Sequence, residues 1–339
     1  MVARMIDWKA MERPIVALAP MADMTDLPFC LICKSKGTPL MFREMVSSEA
    51  VIRENPKTLK MCEFDARERP IVQQIFGARP DVMAEAARLI EERFQPDAID
   101  INMGCPVYNI VSKFNGAFLI KEPERAAEII RKMKAAVSVP VSVKTRLGWD
   151  DDRQILEFVK VVEDAGADLI SIHGRTKAQG YSGTANWDRI GEARKNTTLP
   201  VLVNGDIIDL ATAKEALSRS GADGVLVARG GLGNPWIFKR LEQGLREGID
   251  PGEPTMDERI ETIREHARLQ VEHYGERGLI KLRKHLPWYF KNMNGEGGLK
   301  ELRSKLVRIT TLAELESALS DFHAPPTGSV VLEPAVHQS

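Results

Sequence analysis

The chain has 339 residues, 43% of them hydrophobic and 28% charged, and its 47 Lys+Arg against 48 Asp+Glu leave a net charge of −1. That balance excludes a disordered or collagen-like chain and a uniformly basic nucleic-acid coat, so any cationic surface must be local. The four cysteines, Cys30, Cys33, Cys62 and Cys105, are too sparse for a disulfide framework and suit a reducing cytoplasm.

In chain order, the opening MVARMIDWKAMERP scatters charge where a secretory signal needs an apolar core. No later stretch approaches the roughly 18–20 apolar residues of a membrane helix, so a soluble cytoplasmic protein is expected. Eight short apolar runs follow: IVALAPM (15–21), LMFREMV (40–46), IVQQIFG (71–77), AIDINMG (98–104), VSVKTRLG (141–148), LISIHGRT (169–176), VLVNGDI (201–207) and GVLVARG (224–230). Their near-continuous hydrophobicity predicts strands of a parallel sheet covered on both faces. Between them, VMAEAARLIEERF, ERAAEIIRKMKAAV, QILEFVKVVEDAGA and ATAKEALSRSGA have helical spacing, and the last two end at glycines placed to cap them. Eight such units over about 230 residues predict a (β/α)8 TIM barrel, and the missing GxGxxG after the first strand weighs against a doubly wound sheet. The rhythm stops near residue 245. The expected division is a barrel over 1–245, a small all-helical domain over 246–322, and a flexible proline-bearing tail over 323–339.

Chemistry in a barrel sits at the C-terminal strand ends, and seven of the runs end in polar or special residues. These are Pro20-Met21-Ala22, Gln74, Asn102 through Cys105, Lys144 with Arg146, His173 with Arg175, Asn204-Gly205-Asp206, and Arg229-Gly230-Gly231. Together they predict a lined cup. Glycines and Arg229 after the last two strands suit a phosphate-bearing ligand. A lysine at 144, inside a strand, serves either as a Schiff-base amine or as a cation beside an anionic ring such as a reduced flavin. Cys105, in a Gly-Cys-Pro turn, is mostly protonated at neutral pH and serves as proton donor or nucleophile. Cys30-x-x-Cys33 is half of a zinc spacing with no second half, so no metal is expected. Residues 277–308 carry nine Lys/Arg against two Asp/Glu, interrupted by Trp288, Tyr289 and Phe290. That pattern fits either a nucleic-acid surface or a small helical core with a solvated basic face.

The stretches LAPMADMTDLPFC, QIFG, DINMGCP with VSKFNGAFLI, SVKTRLGW, SIHGRT, VLVNGDI, VARGGLGNPWIF and LRKHLPWYF, in that order from about residue 15 to about 308, resemble the tRNA-dihydrouridine synthases. The resemblance implies an FMN-binding barrel followed by a helical tRNA-binding domain, with NADPH as reductant and tRNA as partner. It places Pro20, Met21 and Ala22 along the flavin ring, and Gln74, Lys144 and His173 against its polar groups. Asn204, Gly205, Asp206, Ala228 and Arg229 would take the ribityl chain and phosphate. Asn102, Lys113 and Arg175 would hold the uracil, and Cys105 would be the acid. Ala228-Arg229 stands where family members often have Gly-Arg, a change that keeps the backbone amide.

The implied reaction is reduction of specific tRNA uridines by a monomeric enzyme, with hydride passing from flavin N5 to uracil C6 and a proton from Cys105 to C5. Two rivals are an FMN barrel acting on free pyrimidines, which needs no basic helical domain, and a barrel that binds phosphate or RNA without redox chemistry.

Overall fold

A computed structural model describes residues 5–291, 293 and 298–322. The expected tail over 323–339 lies outside the described residues. All eight predicted strands form: β1 Ile15–Leu18, β2 Leu40–Ser47, β3 Ile71–Phe76, β4 Ala98–Met103, β5 Val141–Arg146, β6 Leu169–His173, β7 Val201–Asn204 and β8 Gly224–Val227. They pair in parallel in sequence order, and β8 closes on β1, making the barrel the sequence predicts. Gly224 lets β8 close tightly on β1, since a Cβ there would lie 2.2 Å from the Ile15 carbonyl oxygen. The four segments with helical spacing form helices Pro80–Phe94, Pro123–Ala136, Gln154–Asp164 and Leu210–Ser220. Two open on proline, whose missing N–H costs nothing there.

Seven of the eight strands end earlier than their apolar runs, and β2 alone extends one residue past its run, to Ser47. After β7, Gly205 (φ +115°) and Asp206 (φ +55°) leave the sheet through left-handed conformations, so the ends of the runs become rim loops.

Side-chain alternation then sorts each strand. One set, including Val143, Ile172, Val203 and Val225, packs outward under the helices. The other set fills the barrel. Its lower layer is apolar (Ile15, Ala17, Leu40, Phe42, Val72, Ala98, Leu169, Leu202, Leu226) and is plugged by Ile6 and by Trp8, which stacks on Phe42. The same alternation carried upward gives Gln74 on β3, Asp100 and Asn102 on β4, Ser142, Lys144 and Arg146 on β5, His173 on β6 and Asn204 on β7. The polar layer of the barrel is therefore its upper half.

After helix Ile237–Arg246, which packs with the barrel, come helices Met256–Tyr274, Gly278–Leu282, Leu299–Leu306 and Leu312–Ser320. They enclose a second core around Ile263, Leu282, Tyr289, Phe290 and Leu315. Capping boxes at Thr255/Glu258 and Thr311/Glu314 fix two helix starts. Tyr289 and Phe290 are fully buried here. Of the two readings of the basic, aromatic segment, the helical core accounts for these two rings, and neither is exposed to stack on a base.

Candidate active site

Lys144 reaches from β5 across the barrel to β7, where its Nζ donates to Asn204 Oδ1 at 3.0 Å. Asn204 is held in turn, its Nδ2 donating to the Leu226 carbonyl at 2.6 Å. Burial, with Arg146 nearby, brings Lys144 down to about 8. It is still mostly protonated at neutral pH, and the ammonium has three donors. A charged donor with capacity to spare, set in the upper barrel, calls for an electron-rich ligand edge.

On the other side of the cup, one line of hydrogen bonds sets every amide. Asp100 is wholly buried, and desolvation lifts it to about 6. It accepts from Ser142 Oγ and from Gln74 Nε2, each at 2.6 Å. The donating end of Gln74 is thus committed, and its Oε1 accepts from Asn102 Nδ2 at 2.9 Å. Asn102 Oδ1 therefore faces the backbone, accepting from Cys105 N at 2.9 Å and Gly104 N at 3.2 Å. The turn bearing the thiol is anchored by a chain of amides whose orientation starts at a buried carboxylate. Asp100 and Ser142 were not assigned roles from sequence, although the period-2 alternation of DINM and SVK places them on the interior face.

Cys105 alone among the four cysteines is not fully buried. Partial desolvation raises its thiol, and the Val107 N–H and the cations Arg146 and Lys144 pull it back only in part, so it holds its proton at neutral pH. Arg146 clamps the same turn from below. Its Nε donates to the Gly104 carbonyl at 2.8 Å, and one terminal nitrogen donates to the Thr176 and Gly180 carbonyls at 3.0 and 2.7 Å.

The rim after β6, β7 and β8 is the cationic one. His173 is buried and held far below its ordinary range, first by desolvation and then by Arg146, Lys144, Arg175 and Arg229. Its buried Nδ1 has no protein partner, so a neutral imidazole with an unpartnered Nδ1 lies among four cations. Arg175 is also buried, and its two terminal nitrogens grip Asp206 at 3.0 and 2.7 Å while its Nε donates to Ser182. Asp206 also accepts from Ala185 N at 2.7 Å, and Arg229 stands exposed with 3.8 Å to Asp206. Gly205 fits only as glycine: a Cβ would lie 2.9 Å from Ala185 Cβ and 3.2 Å from the His173 ring. Pro20 and Met21 are half-buried after β1, with Met21 N donating to Thr25 Oγ1 at 3.0 Å. Ala22, Ala228 and Lys113 lie at the rim, Ala22 and Lys113 exposed and Ala228 half-buried.

This donor set suits a flavin mononucleotide. A partly satisfied ammonium would meet the polar edge of such a ring, an unpartnered buried imidazole nitrogen would lie beside it, and a cationic glycine rim would meet the phosphate. Away from the cup, Asp26, His266 and His285 bring one ligand atom each within 4.8 Å of the others, the one such trio among the described residues.

A family model for dihydrouridine synthase (Dus) matches residues 17–323. A probable tRNA-dihydrouridine synthase 1 of Synechocystis is 40% identical over 314 residues, covering 90% of this chain and 86% of that protein. The tRNA-dihydrouridine synthase B of Pasteurella multocida is 36% identical, covering 82% and 84%. Among solved structures, histamine dehydrogenase of Rhizobium shares the barrel at a TM-score of 0.54 and 12% identity, over 75% of this chain and about half (49%) of its own. The structure of TcOYE with pHBA does so at 0.51 and 10%, over 76% and 96%. At that identity the likeness is one of fold. With a barrel and cup of this construction and matches of this extent, the chain belongs to the dihydrouridine synthase family.

Proposed function

We propose that this protein is an FMN-dependent, NADPH-driven tRNA-dihydrouridine synthase, acting as a cytoplasmic monomer. Its catalytic domain spans residues 1–245 and its tRNA-binding helical domain spans 246–322. The observation that carries the reading is that Lys144, donating to Asn204 inside the barrel, and Cys105, the one cysteine of the four not fully buried, stand on the same barrel mouth. Overall, uridine, NADPH and one proton give dihydrouridine and NADP⁺. Bound flavin supplies the hydride that adds to C6 of the uracil.

The protein's own residues do the rest. Lys144 and Gln74 hold the polar edge of the ring, and His173 stays neutral beside it. Asn204, Gly205, Asp206, Ala228 and Arg229 seat the chain and phosphate, while Pro20, Met21 and Ala22 cover the ring. Asn102, Lys113 and Arg175 form the uracil side, with Arg175 acting through its grip on Asp206. Cys105 delivers its proton to C5, where negative charge collects after hydride addition. General acid help of this kind is worth about 10²–10⁴-fold. The target base must leave its stack to reach the cup.

The test is incubation of the purified protein with unmodified tRNA and NADPH, followed by nucleoside mass analysis. Uridines that gain two hydrogens support the reading. Unchanged tRNA, with the protein's flavin fully reducible, would refute it.

A further inference from the structure

The loop after β4 has two sides. Inward it holds Cys105: the Cys105 carbonyl accepts from Ala117 N at 3.1 Å. Gly116 (φ +61°) lies so close that a Cβ would stand 2.8 Å from that carbonyl oxygen. Outward, the same loop exposes Tyr108 (79%) and Phe114 (54%). Phe114 sits at φ +62°, a left-handed conformation that bulky residues rarely adopt and that glycine or asparagine takes without strain. A ring that is exposed and strained gains neither burial nor backbone ease. Strain of this kind collects at functional sites.

The ring is also part of a series. Phe114 meets Phe118 edge-on at 5.0 Å, and Phe118 meets Trp149 edge-on at 5.8 Å. Lys121 lies over both Phe118 and Trp149, at 5.5 and 5.0 Å, and Lys177 lies over Trp149 at 4.4 Å. Lys113 is exposed immediately before Phe114. Three rings on the segments after β4 and β5 are thus laced with ammonium groups, one of them Lys177 from the loop after β6. Aromatic faces for bases, with cations for the backbone, are how unpaired nucleic acid is held. An apolar protein partner would have to desolvate those cations.

We propose that Phe114 is a stacking platform for the nucleobase next to the uridine that enters the barrel. The proposal rests on tRNA being the substrate. When the uridine leaves its stack, its neighbour loses a face, and the Phe114 ring replaces it.

The test compares the parent with Phe114→Ala and Phe114→Trp as flavin-loaded proteins. Removing one base–aromatic stack should raise KM for tRNA about 5- to 150-fold, while NADPH-dependent flavin reduction without tRNA stays at the parent rate. The tryptophan variant should keep a parent-like KM, and affinity for a fully paired RNA duplex should not change. If the alanine variant loads flavin poorly, Phe114→Gly, which suits the left-handed angle, carries the same comparison. A parent-like KM in the alanine or glycine variant overturns the stacking role alone, as does an equal loss on duplex RNA. A parent enzyme that leaves tRNA unreduced overturns both the stacking role and the functional reading beneath it.

Discussion

Replacing Lys144 with methionine should make the flavin-free protein more stable while abolishing turnover. The lysine proton is held up to about 10.4 in an unfolded chain, and burial brings it to about 8 in the fold. That difference corresponds to about 3 kcal/mol at full burial. Part of the side chain remains open to the barrel mouth, so we expect a gain of about 1–3 kcal/mol near pH 7. The sign follows from proton binding. Between about pH 8 and 10.4 the unfolded chain holds a proton that the folded one releases, so the parent gains stability as pH rises through that window. The cost of burying the ammonium is full below about pH 8 and fades above it. Urea unfolding of parent and Lys144→Met at about pH 7 and about pH 10 reads the effect directly. The methionine protein should lead at the lower pH, and the gap should close at the higher. Added FMN should narrow the gap at neutral pH, because it gives the ammonium a partner. A variant no more stable than the parent at neutral pH, or a gap that widens with pH, would refute the reasoning.

Other consequences concern the thiol turn and the rim. In Asn102→Asp, Asp100 already takes the donating end of Gln74, so the new carboxylate faces Gln74 Oε1. That should cost about 1–3 kcal/mol near pH 8. The new group's folded pKa is raised, so its contribution is favourable at low pH and is lost as pH rises. Unfolding at about pH 5 should recover most of the deficit relative to the parent, whereas an equal deficit at both pH values would count against the amide chain. Alkylation by iodoacetamide should modify Cys105 alone, since the other three cysteines are buried. Its rate midpoint should lie above the ordinary ~8.5 and rise further in Lys144→Met, which removes a cation that lowers it. Fast labelling at neutral pH would contradict a protonated thiol. Gly205→Ala forces a Cβ against His173 and Ala185 at a left-handed angle. It should lose flavin loading, measured by absorbance of the purified protein, at a cost of about 1–3 kcal/mol.

The barrel was legible because its strands are buried on both faces, so each run of Val, Ile and Leu is unbroken, and each glycine-capped helix returns the chain to the next strand. Gly221 takes the expected left-handed cap, and its N–H donates to the Leu217 carbonyl at 2.8 Å. Where each strand stops was less legible. A run such as VLVNGDI returns to an apolar residue at Ile207, and the left-handed φ values of Gly205 and Asp206 mark where it leaves the sheet.

Lys144, Asn204 and Cys105 were singled out from residue type in or just after a strand, and the structure brings them to the barrel mouth. Asp100 was not, because an Asp inside an apolar strand reads as a pairing question until barrel closure puts Gln74 and Ser142 beside it. The ion pair of Arg175 with Asp206 joins residues 31 apart on neighbouring loops, a contact set by barrel register and not by local pattern. The aromatic run LPWYF left two readings open for a related reason. Its spacing looks the same whether the rings face RNA or a core, and only packing against Ile263 and its neighbours buries Tyr289 and Phe290.

The proton is the part of the account most exposed to test. Parent and Cys105→Ala enzymes, each with its flavin reduced beforehand, should be mixed with excess unmodified tRNA and followed by flavin reoxidation without oxygen and by dihydrouridine formed. The alanine protein should bind flavin and tRNA as the parent does, yet form dihydrouridine about 10²–10⁴-fold more slowly. Formation at the parent rate would mean that the proton comes from elsewhere and that Cys105 is not the acid.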